Sequence, residues 1–249
     1  MLLEDKVAVV YGASGPIGGA AARAFAREGA RVFLAGRDAA PLDKPAEDIR
    51  AAGGTAESAV VDAREGAAVD AFVDGVAAQA GRIDISFNAI GYGDVQKPLM
   101  EISEADFLQP IVTATRSQFL TTRAAARHMI PRRTGVILAF GGGGPQTLPG
   151  LGGFKIALDA LEGLRRQWAI ELGPHGIRVV TLKSGGVPET LPEGFPGRDA
   201  IVDSLVGATQ LGRAATLADV GDVAAFVASD RARTLTATDV NISCGAIVD

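Results

Sequence analysis

The feature that most constrains this chain is an alternation: short runs of β-branched and apolar residues take turns with long alanine-rich stretches of helical period. Val7–Tyr11 reads as a strand, and Ile17–Glu28 as a helix with Ala20, Ala21, Phe25 and Ala26 at helical spacing. The pattern repeats. Strands are predicted at Arg31–Ala35, Thr55–Val61, Ile83–Phe87, Gly135–Phe140, Arg178–Leu182 and Val240–Ile242. Helices are predicted near Ala40–Ala52, Ala67–Ala80, Glu104–Met129 (with Pro110 inside it), Gly152–Leu172 and Leu217–Ala228. Apolar strands interleaved with helices bury both faces of a parallel sheet. The expected fold is therefore α/β, a doubly wound parallel sheet of about seven strands with helices on both faces. No linker or composition shift divides the sequence, so one Rossmann-type domain is expected over residues 1–249. The glycine- and proline-rich segment Ser184–Ala200 reads as its loosest part.

Composition narrows the function classes. Net charge is −5, from 24 basic and 29 acidic residues, and no basic run stands out, which argues against nucleic acid or an anionic membrane as partner. A lone cysteine, Cys244, excludes an internal disulfide, and two histidines beside it make a zinc site a poor expectation, so no metal is assigned. Met1–Lys6 lacks a basic leader and no stretch of about 18 apolar residues occurs. A soluble, cytoplasmic protein is expected.

Chemistry begins where the first strand meets the first helix. Tyr11-Gly12-Ala13-Ser14-Gly15-Pro16-Ile17-Gly18 places glycines where the backbone must turn sharply and approach a pyrophosphate lying on the helix N-terminus. Pro16 removes one amide but suits a first helical turn, and the amide of Ile17 stays available. At the end of the second strand, Leu34-Ala35-Gly36-Arg37 lacks the acid that bonds a ribose 2′-hydroxyl. Arg37 instead suits the 2′-phosphate of NADP, so NADP(H) is favoured over NAD(H); the alternative is a solvated surface arginine. Asp62 has two readings, an acceptor for the adenine amino group or an N-cap for the following helix.

Several segments in order resemble the short-chain dehydrogenase/reductase family, over essentially the whole chain. Asp84-Ile85-Ser86-Phe87-Asn88-Ala89-Ile90-Gly91 resembles its stretch after strand four, and Gly173–Val179 its lead-in to strand six. Ser184-Gly185-Gly186-Val187 with Thr190 stands where the family has Pro-Gly-x-Val and a threonine; Leu211-Gly212-Arg213, Asp219-Val220 and Phe226–Asp230 resemble its C-terminal region. The resemblance implies cofactor contacts at Gly12, Ser14, Gly15, Ile17, Gly18, Arg37, Asp62, Asn88, Gly91, Gly185 and Val187. It also implies a homotetramer or dimer built from the Glu104–Met129 and Gly152–Leu172 helices.

The family's acid–base residues are another matter. Its serine position falls on Gly142, its tyrosine on Phe154, its lysine on Leu158 and its asparagine on or beside Ala114. No nearby register restores a Tyr-x-x-x-Lys pair, since the only tyrosines are Tyr11 and Tyr92. General acid catalysis is worth about 10²–10⁴-fold, or roughly 3–5 kcal/mol of barrier. Three substitutes are considered: Tyr92 beyond strand four, Lys183 ending strand six and Gln146 after the glycine run. The plain reading of Tyr92 is an aromatic packed in a loop; Lys183 could point toward the cleft, and Gln146 could bond a substrate carbonyl. Lys155 with Asp159 reads as a solvated i, i+4 ion pair, His128 as structural and His175 as a loop residue.

Three functions remain open. The first is an atypical NADP(H)-dependent reductase of a small organic substrate bearing a C=N or activated C=C bond, which needs no protein acid. The second is an inactive NADP-binding sensor, scaffold or partner subunit; the third is a non-redox isomerase or dehydratase in the same pocket.

Overall fold

The computed structural model describes residues 1–145 and 147–248. Its elements run β1 (Val7–Tyr11), α1 (Pro16–Arg27), β2 (Arg31–Gly36), α2 (Ala39–Ala51), β3 (Thr55–Val60), α3 (Gly66–Ala80), β4 (Ile85–Asn88) and α4 (Glu104–Met129). They continue β5 (Gly135–Phe140), α5 (Gly152–Leu172), β6 (Ile177–Lys183), α6 (Arg198–Gly207), α7 (Leu217–Ala228) and β7 (Thr238–Asn241). All seven strands join one parallel sheet in the order β3-β2-β1-β4-β5-β6-β7. The chain order reverses between β1 and β4. Loops leaving the carboxyl ends of those two strands part in opposite directions and open a crevice, which is where ligands of this architecture bind.

Strand alternation sorts the core into two layers. On one face Ala8, Val10, Val32, Leu34, Phe87 and Leu138 pack against Phe25 of α1, Ile49 of α2 and Val227 of α7. On the other, Val7, Val9, Tyr11, Phe33 and Val179 pack against Val73 of α3, Met129 of α4 and Ala169 of α5. Burying each large apolar side chain is worth about 1.5–3 kcal/mol, so both faces must be covered for the sheet to be stable.

Caps fix where helices start. The Ser103 hydroxyl accepts from the Asp106 amide at 3.1 Å to open α4, and Thr216 with Asp219 forms a capping box on α7. Pro110 does not interrupt α4, which is continuous over 26 residues.

Three expectations are corrected. The edge strand β3 is not fully apolar; Thr55, Ser58 and Val60 are exposed because only one neighbour and one face cover it. Strands four and seven each shift: Ile83 precedes β4, and β7 ends before Ile242. The loose segment after β6 ends in a helix, α6, that the pattern did not announce. No α6 residue is buried, so it carries no apolar stripe, and it starts behind Gly197 at φ +72°.

Candidate active site

The crevice is a cleft of about 390 Å³ running from Arg37, Asp62 and Arg64, past Gly12, Ser14 and Gly15, to Ala89–Gly93 with Gln109 and Thr113. Its floor is the glycine turn. Gly12 has φ +71°, and a Cβ there would stand 2.6 Å from the Ala89 carbonyl oxygen, so only glycine lets this turn lie against the loop after β4. A Cβ on Gly18 would overlap the Gly12 carbonyl. The Gly12 and Ala13 amides donate to Ala35 O at 3.0 and 3.2 Å, tying the turn to β2. Gly91 differs. A Cβ there would meet nothing within 4 Å, so packing of the chain itself does not demand a glycine; its effect is to keep the cleft wall flat. An elongated cleft, a glycine floor and a helix N-terminus are the donor set that a dinucleotide needs, so the residues present fit one.

Of the predicted cofactor residues, Gly12, Ser14, Gly15, Arg37, Asp62 and Gly91 line this cleft. The other five are not among the residues that line it. Ile17 and Val187 pack together with Ala215 and Val220, and Gly18 supports the turn. Asn88 is 2% exposed, its amide donating to Thr121 Oγ1 at 3.1 Å while its carbonyl accepts from the Ile90 amide at 3.2 Å, so it shapes the Ala89–Gly91 loop from within. Gly185 abuts Ala246, a Cβ there standing 2.7 Å from the alanine's own.

At the β2 end, Arg37 is exposed and has no ion pair among the described residues. Asp62 is not the N-cap of α3; Glu65 occupies that position. Its carboxylate instead accepts from the Arg64 amide at 2.9 Å and from Arg64 Nη2 at 2.6 Å. Those bonds, with the field of Arg37, hold its pKa at about 2. Arg64 was missed in the sequence; the Asp-x-Arg spacing is the signal that could have found it.

The far end of the cleft is closed by apolar packing. Tyr92 is buried against Ala114, Phe154, Ala157, Leu158 and Leu161, with its ring 6.3 Å from that of Phe154. Its hydroxyl donates to the Phe140 carbonyl at 3.3 Å, and burial pushes the phenol's pKa well up. Tyr92 thus lines the cleft as a neutral group already engaged with the backbone. A close approach of α4 and α5 makes this packing possible, because a Cβ on Gly153 would overlap the Phe107 carbonyl.

The serine position also reads differently in three dimensions. A Cβ on Gly142 would stand 2.7 Å from Glu162 Oε1 and face Thr181 and Lys183, away from Phe154. Gly141, one residue earlier, faces Leu158 and, at 3.8 Å, the Tyr92 hydroxyl. Lys183 is not brought to the cleft either: it is buried beside Asp239 at 2.7 Å, in a separate polar cavity with Glu162 and Arg165. Gln146 lies outside the described residues. The Lys155–Asp159 pair is not simply solvated, since Lys155 Nζ also donates to Gly144 O at 2.8 Å and clamps the glycine run onto α5. His128 bonds Asp74 at 2.7 Å on the surface, away from the cleft.

A doubly wound sheet with a glycine turn at its switch point defines a dinucleotide-binding class of fold. Comparison with known proteins specifies the family. A family model described as enoyl-(acyl carrier protein) reductase matches residues 12–246. Gluconate 5-dehydrogenase of Gluconobacter oxydans is 33% identical over 231 residues, covering 91% of this chain and 89% of that protein. Secoisolariciresinol dehydrogenase of Forsythia intermedia is 30% identical over 257 residues, covering 98% and 89%. Among solved structures, an NAD+-bound xylitol dehydrogenase superposes with a TM-score of 0.90 at 25% identity, covering 98% of this chain and 100% of that one. A short-chain dehydrogenase from Burkholderia cenocepacia in complex with NADP superposes at 0.87 with 26% identity, covering 99% of both. The chain belongs to the short-chain dehydrogenase/reductase family of oxidoreductases. No helix among the described residues is long and apolar enough to cross a membrane.

Proposed function

We propose that this protein is an atypical, NADP(H)-dependent member of its family that reduces a small substrate whose electrophilic carbon needs no protein acid, a C=N or activated C=C bond. One observation carries the reading. The cleft is open and glycine-floored at its dinucleotide end, whereas its other end is packed with Tyr92, Phe154, Leu158 and Leu161 in place of a phenol–ammonium pair.

When bound, a dihydronicotinamide supplies hydride. This chain's part is to bind and orient. The amides at the start of α1, around Ile17 and Gly18, would hold the pyrophosphate, with Gly12, Ser14 and Gly15 as its floor. Arg37 would pair with the 2′-phosphate, and Arg64, held by Asp62, lies beside it at the adenine end. Gly91 leaves the wall low where substrate meets cofactor, and the Tyr92 cluster excludes water from that end. A ketone is a poor substrate here, because its alkoxide finds no acid: the Tyr92 phenol is already bonded to Phe140 O, and Gln109 and Thr113 offer only neutral amide and hydroxyl groups. An iminium carries its proton already, and a reduced alkene takes one from water. The protein works in the cytoplasm as a homo-oligomer.

Calorimetric titration with NADPH and NADH, followed by a panel of an imine, an enone and a ketone, tests the reading. Expected are micromolar NADPH binding with much weaker NADH, loss of that preference in Arg37→Ala, and turnover of imine or enone well above ketone. Ketone reduction at equal rate overturns it. A second reading, an inactive NADP-binding subunit, draws on the same apolar packing around Tyr92; tight NADPH binding without turnover of any substrate selects it.

A further inference from the structure

The half of the cleft beyond the glycine turn is walled by Ala89–Gly93, Gln109 and Thr113, and none of these side chains carries a charge. One of its polar groups is committed to the protein: the Tyr92 hydroxyl donates to Phe140 O. The other two are joined to each other. Gln109 Nε2 donates to Thr113 Oγ1 at 3.0 Å, across one turn of α4. That bond uses one of the two amide hydrogens and leaves the hydroxyl's own untouched, so one hydrogen remains on each group. Among the described residues neither hydrogen has an acceptor. Nε2 is also the atom of Gln109 that meets the open space. A Cβ on Gly93 would have it, at 3.8 Å, as its one near neighbour, and a Cβ on Gly91 would have none.

The two hydrogens form a graded pair. Thr113 Oγ1 receives the Gln109 N–H, and a hydroxyl that accepts one hydrogen bond donates the next more strongly. Thr113 is only 6% exposed, so a ligand that displaces water from the cleft must itself meet the hydroxyl hydrogen. An orphaned donor is worse tolerated in a buried place than a carbonyl oxygen, such as that of Gln109, with a lone pair free. The group this wall receives is therefore an oxygen. It is a neutral one on arrival, because among the described residues no charged side chain lines this half of the cleft to hold a carboxylate, a phosphate or an ammonium.

We infer that the substrate is a neutral α,β-unsaturated carbonyl compound, and that Thr113, backed by Gln109, donates to its oxygen. The inference rests on the reductase reading and names the substrate class for it. The electrons balance without a protein acid. The β-carbon receives the hydride, the C=C π pair moves toward the carbonyl, and the charge collects on the oxygen as an enolate. Both donors bond that oxygen more strongly than the carbonyl oxygen it was, which lowers the barrier. Water then protonates the α-carbon, solvent neutralises the hydroxide, and the cofactor leaves oxidised. A simple ketone gains less, because its more basic alkoxide must take a whole proton, which a neutral amide and hydroxyl do not give up. An iminium brings no oxygen to the pair.

The test combines NADPH oxidation assays on 2-cyclohexenone and 1-pyrroline with calorimetric titration of 4-nitrophenolate, an enolate-like oxyanion, into the protein with NADP+. Thr113→Val is expected to lower kcat for 2-cyclohexenone about a hundredfold while KM moves less than about threefold, because the bond strengthens in the transition state. It should also weaken 4-nitrophenolate binding by about tenfold, the worth of one hydrogen bond to a charged oxygen. Gln109→Leu should act in the same direction by less, and Thr113→Ser should behave as wild type, with NADPH affinity the same in all four proteins. Equal kcat, or equal 4-nitrophenolate binding, in wild type and Thr113→Val overturns the inference. So does a Thr113→Ser protein as impaired as Thr113→Val. If 1-pyrroline is reduced and 2-cyclohexenone is not, the reductase reading stands and only the carbonyl assignment falls. Reduction of neither probe removes both.

Discussion

Single residues here act through the space beside them as much as through their chemistry. Gly142 is the clearest case. Placing the family's serine there would drive its Cβ to 2.7 Å from Glu162 Oε1, on the side of the backbone away from Phe154. Gly142→Ser is therefore expected to lose about 1–3 kcal/mol in a urea melt from overpacking and to show no gain in ketone reduction. Recovery of ketone reduction by this single change would contradict the geometry. Asp62 supplies a pH signature. Its folded pKa is depressed to about 2 from 3.8, so its contribution is fully present above pH about 4 and fades as pH falls through 2. The group is partly exposed, so the amount is small, about 1 kcal/mol or less. Acid melts of Asp62→Asn should show a shallower loss of Tm between pH 5 and pH 2 than wild type; identical slopes would mean the Arg64 pair contributes nothing in solution. The sequence announced an acid at the end of β3, but its partner, and hence its electrostatics, depended on a loop turn that brings Arg64 back upon it.

At the scale of elements, the decisive contact is α4 against α5. Gly153 lets the two helices touch, and Ala114, Ala157 and Leu161 then lock around Tyr92. Leu161 is 2% exposed, so Leu161→Ala is expected to cost about 2–5 kcal/mol and to free the Tyr92 ring, visible as raised tyrosine exposure in solvent-perturbation spectra. A loss below about 1 kcal/mol would show that this end of the cleft is already loose. Helices α4, α5 and α7 were legible to the residue in their boundaries because each carries a long apolar period or a cap. α6 was not, because a helix with no buried residue leaves no periodic trace. The candidate site divides in the same way. Its glycine floor is one continuous run and Arg37 directly follows β2, so each could be read there. The Tyr92–Phe154 contact joins residues 62 apart, and which side of β5 Gly141 and Gly142 face depends on a φ of +97° at Gly141.

At the scale of the whole molecule, α4 and α5 expose large apolar side chains. Leu108, Val112 and Phe119 on α4, with Ile156 and Ile170 on α5, are each more than 40% exposed and recur at helical spacing. The homo-oligomer proposed above would cover these side chains with a second copy. If so, Val112→Glu combined with Phe119→Glu should shift the protein to a smaller species in size-exclusion chromatography coupled to light scattering; an unchanged mass would show that these helices do not carry the proposed assembly. What the sequence determined alone is everything set by local period and turn chemistry: the alternation of strands and helices, the parallel sheet, the glycine turn at its switch point, and the absence of a Tyr-x-x-x-Lys pair. What only the tertiary structure decided is how residues far apart in the chain meet. Arg64 captures Asp62, Lys183 turns to Asp239, Asn88 faces inward, and Tyr92 is pressed into α5 with its hydroxyl on Phe140 O. The reason is physical: periodicity reports which face of an element is buried, whereas a site depends on which faces of different elements are buried against each other.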